Sequence, residues 1–412
     1  MDEYIEGEEQ IPAEESLDLT KLNGEINCLL FSHNLLKPQF MSEYHPEMKA
    51  TAARICRDYL RGVWKHVTPD NIILKRISGG LSNWLYSVHL PDEAIPVRGE
   101  PRQVLLRLYG QVHGERALEG LITESVIFTL LSERRLGPKL HGIFPGGRIE
   151  EYIPARPLLT KELADHHLSS LIAEKMAQIH MMQVPISKEP TWLWDTMDRW
   201  LDTATDVLEN IEEVETKQLA NFEFIKSIDL EQEVTWFRSL AKQYKFPVVF
   251  CHNDMQEGNI LLRQNSPKQE LVVIDFEYCS YNYRGFDVAN HFQEWLYDYT
   301  AKDYPFFTER TSCGPTKEQK YNFIRNYLRV AGKEGQAEEE RMMAEIRIFS
   351  LASNLFWGLW SIVNAKLSQI PFGYWDYAVV RLRRYQYLKE KLLKTGPLYP
   401  DGGLKRKVTH LD

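Results

Sequence analysis

At 412 residues and 48.2 kDa the chain is too long for one ordinary core, so two lobes or domains are expected. Hydrophobic residues make up 43% and charged residues 26%, the balance of a soluble globular chain. The net charge of −9 disfavours nucleic acid as a partner, because phosphate binding calls for a basic face, and it suits a cationic substrate only weakly, since much of the acidic excess sits near the N-terminus.

Cys28, Cys56, Cys251, Cys279 and Cys313 show no Cys-x-x-Cys spacing and read as reduced thiols of a cytoplasmic protein. Met1 to Glu15 is acidic and lacks an apolar core, so no signal peptide is expected. The longest uncharged apolar run, Ile348 to Ala365, carries Ser350, Ser353, Asn354, Ser361 and Asn364. It predicts a buried helix, without membrane insertion.

In chain order, residues 1–46 read as a disordered acidic tail. Ala52, Ile55, Tyr59 and Val63 follow a helical period and predict a helix from Met48 to His66. Strands are predicted over Ile72–Ile77 and Trp84–Leu90, joined by the tight loop Ser78-Gly79-Gly80-Leu81-Ser82-Asn83. A strand Gln103–Tyr109 follows, then a helix Glu115–Arg135 ended by Gly137-Pro138, then strands Leu140–Phe144 and Arg148–Ile153. Beyond a hinge at 151–156 the pattern is mostly helical: Leu168–Met182, Met197–Asn210, Glu231–Tyr244, Phe286–Tyr299, Lys317–Val330, Ala337–Lys366 and Trp375–Lys394. The fold class is α+β and two-lobed. A small antiparallel-sheet N-lobe with one main helix spans 47–150, and a large mainly helical C-lobe spans 157–412.

The most informative stretch interrupts the helices. Phe250 to Asn259 is a polar loop, Ile260-Leu261-Leu262 a strand, Asn265-Ser266-Pro267 a turn and Leu271 to Ile274 a second strand, followed by Asp275-Phe276-Glu277-Tyr278. Such a hairpin returns Asp254, Asn259 and Asp275 to one end. His-x-Asp-x-x-x-x-Asn followed by Asp-Phe-Glu is the spacing of a kinase catalytic loop and metal-binding loop. Kinase chemistry needs a carboxylate to take the substrate hydroxyl proton, here Asp254, and oxygen ligands for Mg²⁺, here Asn259 and Asp275. His252 reads as a loop brace. Backbone N–H groups of Ser78 to Asn83 can cradle ATP phosphates, although only Gly79-Gly80 matches the kinase glycine-rich loop. Arg107 stands where protein kinases place a phosphate-binding lysine, and Glu124 is its expected ion-pair partner. Asn253 replaces a common kinase arginine and no Ala-Pro-Glu follows, which argues against a protein substrate.

His252 to Asn259, Ile274 to Tyr278 and Asn282 to Trp295, with Phe356-Trp357-Gly358-Leu359-Trp360-Ser361-Ile362, resemble the signature of the choline/ethanolamine kinase family, most closely choline kinase. The resemblance covers about Ile55 to Leu388, and Gln256-Glu257-Gly258 is its choline-kinase form. It implies a fold shared with protein kinases and aminoglycoside phosphotransferases, and transfer of the γ-phosphate of MgATP to choline. That reaction commits choline to the cytidine-dependent route to phosphatidylcholine. The resemblance also implies a homodimer and places Tyr299, Trp357, Trp360, Phe372 and Tyr377 at the choline pocket, with Gln256, Glu277, Tyr278 and Glu294 beside it. Adenine is expected at the hinge near Glu151 and Ile153.

A quaternary ammonium has no N–H to donate, so aromatic faces bind it, each worth roughly 0.5–2 kcal/mol. Trp357 and Trp360, three apart on a helix, share a face. Three other readings stay open: an ethanolamine-preferring kinase, an inactive kinase-fold binding protein, and an antibiotic kinase with an acidic pocket.

Overall fold

The computed structural model describes residues 46–77, 83–109, 115–211, 214–264 and 268–395. The expected acidic tail and the loop Ser78, Gly79, Gly80, Leu81 and Ser82 lie outside them, as do the side chains of Asn83 and of residues 115–119. The chain divides into two compact units, residues 1–113 with 141–152, and 114–140 with 153–412.

In the first unit, α1 (Pro46–Tyr59) precedes β1 (Ile73–Ile77), β2 (Asn83–His89) and β3 (Gln103–Tyr109). With β4 (Leu140–Phe144) and β5 (Gly147–Glu151) these form a five-stranded sheet of order β1-β2-β3-β5-β4, whose β1–β2, β2–β3 and β3–β5 pairs are antiparallel. Val104 and Leu106 alternate inward along β3 and meet Ile149, Tyr86, Val88 and Trp64 in a core sealed by Met48, Ala52 and Ile55 of α1. Each such aliphatic side chain contributes about 1.5–3 kcal/mol by leaving water.

The helix predicted over Met48–His66 breaks. After Tyr59 a separate 3₁₀ turn covers Gly62–His66, because Gly62 adopts φ +60°, which a helix does not allow. The Glu100 carboxylate then receives the Val63 and Val97 N–H groups at 3.4 and 3.1 Å.

The second unit begins with α2 (Glu115–Glu133). Ile127, Phe128 and Leu131 of α2 join this unit's core, although the sequence assigned the helix to the small lobe. There follow β6 (Ala155–Pro157), α3 (His166–His180), α4 (Thr191–Asn210), α5 (Leu219–Lys226), α6 (Leu230–Lys242), β7 (Val248–Cys251), β8 (Ile260–Arg263), β9 (Leu271–Val273), β10 (Ser280–Tyr283) and α7 (Arg284–Glu294). The chain closes with β11 (Tyr297–Asp298), β12 (Thr308–Glu309), α8 (Lys317–Ala331), α9 (Gln336–Leu367) and α10 (Tyr374–Thr395).

Local signals account for several boundaries. Asp165 caps α3 by accepting the His167 and Leu168 N–H groups, and α8 starts on a Thr316–Gln319 capping box and stops at left-handed Gly332. α9 is long and apolar enough to cross a membrane, but 89% of its apolar window is buried inside the protein. It is a core helix flanked by α10, α7 and α4. α7 approaches it closely at Gly285, where a Cβ would stand 2.5 Å from Phe349 Cδ2.

The predicted helix Phe286–Tyr299 ends at Glu294, and Tyr299 instead follows the short strand β11, which pairs with β12. The strand expected over Arg148–Ile153 is Gly147–Glu151.

Candidate active site

Two antiparallel ladders fix the loops. β8 pairs with β9 through Ile260↔Val273, and the ladder extends to the Ile274 N–H, which donates to Asn259 O at 3.0 Å. β7 pairs with β10 through Cys251↔Ser280. The loops 252–259 and 274–279 therefore emerge at one end of both ladders, flanked on each side by fixed strands.

Within the first loop, Asn259 Nδ2 donates to Asp254 Oδ2 at 2.9 Å and to Asp254 O at 3.0 Å. That orientation leaves Asn259 Oδ1 free of the Asp254 contacts and available as a ligand oxygen. His252 is a brace, as read from the sequence: it is fully buried and bonded through Nε2 to Ile274 O at 3.0 Å. Asn253 adopts φ +69° and Asp275 φ +65°, in the left-handed region that Asn and Asp tolerate best after glycine. Asn253 Nδ2 donates to Tyr278 O and Ser280 Oγ, tying the two loops together.

The anchor beneath is Asp287 of α7, a residue to which sequence reading gave no role. Its Oδ2 accepts the His252 N–H at 2.8 Å and its Oδ1 the Asn253 N–H at 2.9 Å. His180 closes the clamp at 3.0 Å, and these bonds hold the buried carboxyl below the usual range despite the opposing cost of burial. His180, Cys251 and Asp287 place ligand-type atoms within 4.8 Å of one another, but the imidazole and carboxylate are already bonded to Tyr327, to each other and to the loop amides. That cluster reads as a structural clamp.

Asp254 is half-buried, and its carboxyl is pushed well above the ordinary range by desolvation first, then by the charges of Glu294, Asp275 and Glu277. Asp275 is thus near enough to be felt by Asp254, and its carboxylate makes no hydrogen bond or ion pair with another described residue. An unengaged carboxylate on one loop and an amide oxygen on the other, at the same end of the ladders, are hard-oxygen donors of the kind that suits Mg²⁺. Glu257 is 5% exposed, accepts the Thr160 Oγ1–H at 2.9 Å, and is pushed up to about 8 by burial and then by Glu294. Gln256 accepts the Gly258 N–H through its Oε1, and Glu277 is exposed.

The aromatic residues singled out in the sequence come together. Trp357 meets Tyr278 at 5.8 Å and Trp360 at 5.6 Å, both edge-to-face. Tyr377 contacts Trp360, Tyr299 and Phe372 at 6.5, 6.1 and 5.5 Å. Trp357 and Tyr377 are buried, while Tyr278, Tyr299, Trp360 and Phe372 keep partial access to solvent. Asn290 of α7 links this cluster to the catalytic loop: its Oδ1 accepts the Trp357 Nε1–H at 2.7 Å and its Nδ2 donates to Asn253 O at 3.3 Å.

Glu294 is only 3% exposed. Its Oε1 is held by Arg381, which is fully buried, and its Oε2 accepts the Tyr299 hydroxyl at 2.7 Å. Sequence reading missed Arg381, whose partner lies on another helix; its spacing from Tyr377 on α10 was the available signal.

In the first unit Arg107 is buried within β3 and donates to Glu150 Oε1 at 2.7 Å, as does Arg148. The two guanidinium groups hold the Glu150 carboxyl below its usual value, against burial. Glu151 and Ile153 fall in the first and second units respectively, and Glu124 lies on α2.

Fold and loops together define a kinase-like small-molecule phosphotransferase. The profile of the choline/ethanolamine kinase family matches residues 74–386. A human protein described as choline/ethanolamine kinase is 46% identical over 345 residues, 82% of this chain and 85% of its own. Mouse choline kinase alpha is 44% identical over 375 residues, covering 84% of this chain and 82% of its own. A crystal structure of choline kinase from Cryptosporidium parvum superimposes with a TM-score of 0.70 at 28% identity, covering 86% of this chain and 98% of that one. The chain belongs to the choline/ethanolamine kinase family.

Proposed function

We propose that the protein phosphorylates choline with MgATP to give phosphocholine. The choline hydroxyl gives its proton to Asp254 as its oxygen attacks the γ-phosphorus in line, and ADP departs. The Asn259 amide, donating to Asp254 Oδ2 at 2.9 Å, fixes the carboxylate that takes this proton. Asn259 and Asp275 would hold Mg²⁺, which when bound neutralises charge on the transferring phosphate oxygens. Arg107 is assigned to the nucleotide by the resemblance, with its guanidinium fixed by Glu150.

The observation that carries the acceptor is the contact cluster of Tyr278, Tyr299, Trp357, Trp360, Phe372 and Tyr377, tied through Asn290 to the loop bearing Asp254. Two or three aromatic faces supply roughly 1–6 kcal/mol to a methylated ammonium. A primary ammonium leans on a carboxylate in place of those faces, and Glu294, the acid bonded to Tyr299 of this cluster, is already paired with Arg381. This favours choline over ethanolamine. A homodimer in the cytoplasm belongs to the same reading. The test is a panel of choline, ethanolamine and an aminoglycoside with MgATP, read as kcat/KM. Choline should rank first; an ethanolamine value above that of choline sinks the assignment.

A further inference from the structure

α7, α8, α9 and α10 line a cavity of about 530 Å³ on the second unit, whose lining includes no residue of the loops 252–259 and 274–279. Its walls carry Lys317 and Lys320 of α8, Arg347 of α9, and Arg384 and Lys391 of α10. None of the five forms an ion pair with a described carboxylate. Neighbouring cations on the same helices do: Arg325 with Glu339 at 3.0 Å, Arg329 with Glu174 at 2.6 Å, and Lys389 with Glu233 at 2.5 Å. In a chain of net charge −9, five cations thus face one hollow without a carboxylate partner among the described residues, Arg347 donating instead to the Thr395 hydroxyl at 2.7 Å.

Solvated surface lysines need no explanation, and the exposed Lys317, Arg347 and Lys391 alone would be such a case. Lys320 and Arg384 differ. Both are half-buried, and Arg384 Nε is fully enclosed with no hydrogen-bond partner. The Lys320 ammonium is pushed below its ordinary pKa by burial, then by the charges of Arg384 and Lys391. Glu309 feels Arg384 electrostatically without forming an ion pair with it. The crowded like charges of Lys320, Arg384 and Lys391 around one hollow have a common remedy, which is a multivalent anion within it.

We propose that this cavity binds a phosphate-bearing ligand, with Lys320 and Arg384 as its inner contacts and Lys317, Arg347 and Lys391 at the rim. The fork of an arginine matches phosphate oxygens, and the ligand is either a soluble phosphate ester or the phosphate of a lipid headgroup.

The experiment is acetylation of the full chain with an amine-reactive ester, with each lysine followed by mass spectrometry. The soluble probe is inorganic pyrophosphate; the lipid probes are phosphatidylcholine vesicles with and without phosphatidic acid. The ligand should slow acetylation of Lys320 by roughly tenfold or more, the equivalent of a charge-assisted contact, and leave Lys389 unchanged. Protection by pyrophosphate assigns a soluble ester, and protection only by phosphatidic-acid vesicles assigns a headgroup. Arg384→Gln, and separately the exposed Lys391→Gln, should weaken the protection while choline phosphorylation persists. Lys320 labelling that neither probe slows, or protection that survives Arg384→Gln, overturns the proposal.

Discussion

His291 lies fully buried on α7, next in sequence to Asn290 with its link to Trp357, and makes two bonds. The indole N–H of Trp295 can only donate, at 3.2 Å, so His291 Nε2 accepts, and the imidazole proton sits on Nδ1, which donates to Met255 O at 2.8 Å. A second proton has no acceptor to meet, and burial pushes the pKa from 6.5 to about 4. The unfolded chain therefore takes up this proton first as pH falls. Stability from this group is complete above pH 6.5 and is lost progressively toward pH 4. The gap corresponds to about 3 kcal/mol in full, of which about 2 kcal/mol is gone by pH 5. The assay is urea unfolding followed by tryptophan fluorescence at pH 8 and pH 5, for the natural protein and His291→Gln. The variant starts less stable at pH 8, since it loses at least one bond, but its loss on acidification should be smaller by about 2 kcal/mol. Asp287 and His252 also weaken the fold in acid, but both are present in each protein and cancel. Parallel pH profiles for the two proteins would refute the reasoning.

Removing Arg381 as Arg381→Met strands the buried Glu294 carboxylate and should cost about 3–5 kcal/mol, whereas Glu294→Gln/Arg381→Met should recover much of that; a double-variant loss equal to the sum of the Arg381→Met and Glu294→Gln losses would show that the pair is not coupled. Trp360→Ala should raise the choline KM by about 2- to 30-fold, the equivalent of one cation–π face, and the ethanolamine KM by less; an equal rise for both acceptors contradicts the aromatic box.

What could be read from the sequence was local. The runs Ile260-Leu261-Leu262 and Leu271-Val272-Val273, bounded by polar motifs, announce the β8–β9 hairpin, and once the hairpin is drawn Asp254, Asn259 and Asp275 must share its end. Trp357 and Trp360 share a helix face by spacing alone. The break after Tyr59 was hidden, because the left-handed turn at Gly62 sits against a Glu100 carboxylate that only the fold brings there. Asp287, Asn290 and Arg381 were hidden for the same reason: each acts across a helix packing that no period of the sequence encodes. The short strands β6, β7 and β10 carry too few residues to show alternation, and their pairing partners are distant in the chain.

The central claim is that Asp254 takes the acceptor proton in a site built for choline. Single-turnover phosphorylation of choline by Asp254→Asn, with choline affinity measured alongside, tests it most directly. The account predicts a fall in rate of about 10²–10⁴ with binding of choline retained. A variant that folds and still phosphorylates choline at near the natural rate would contradict it.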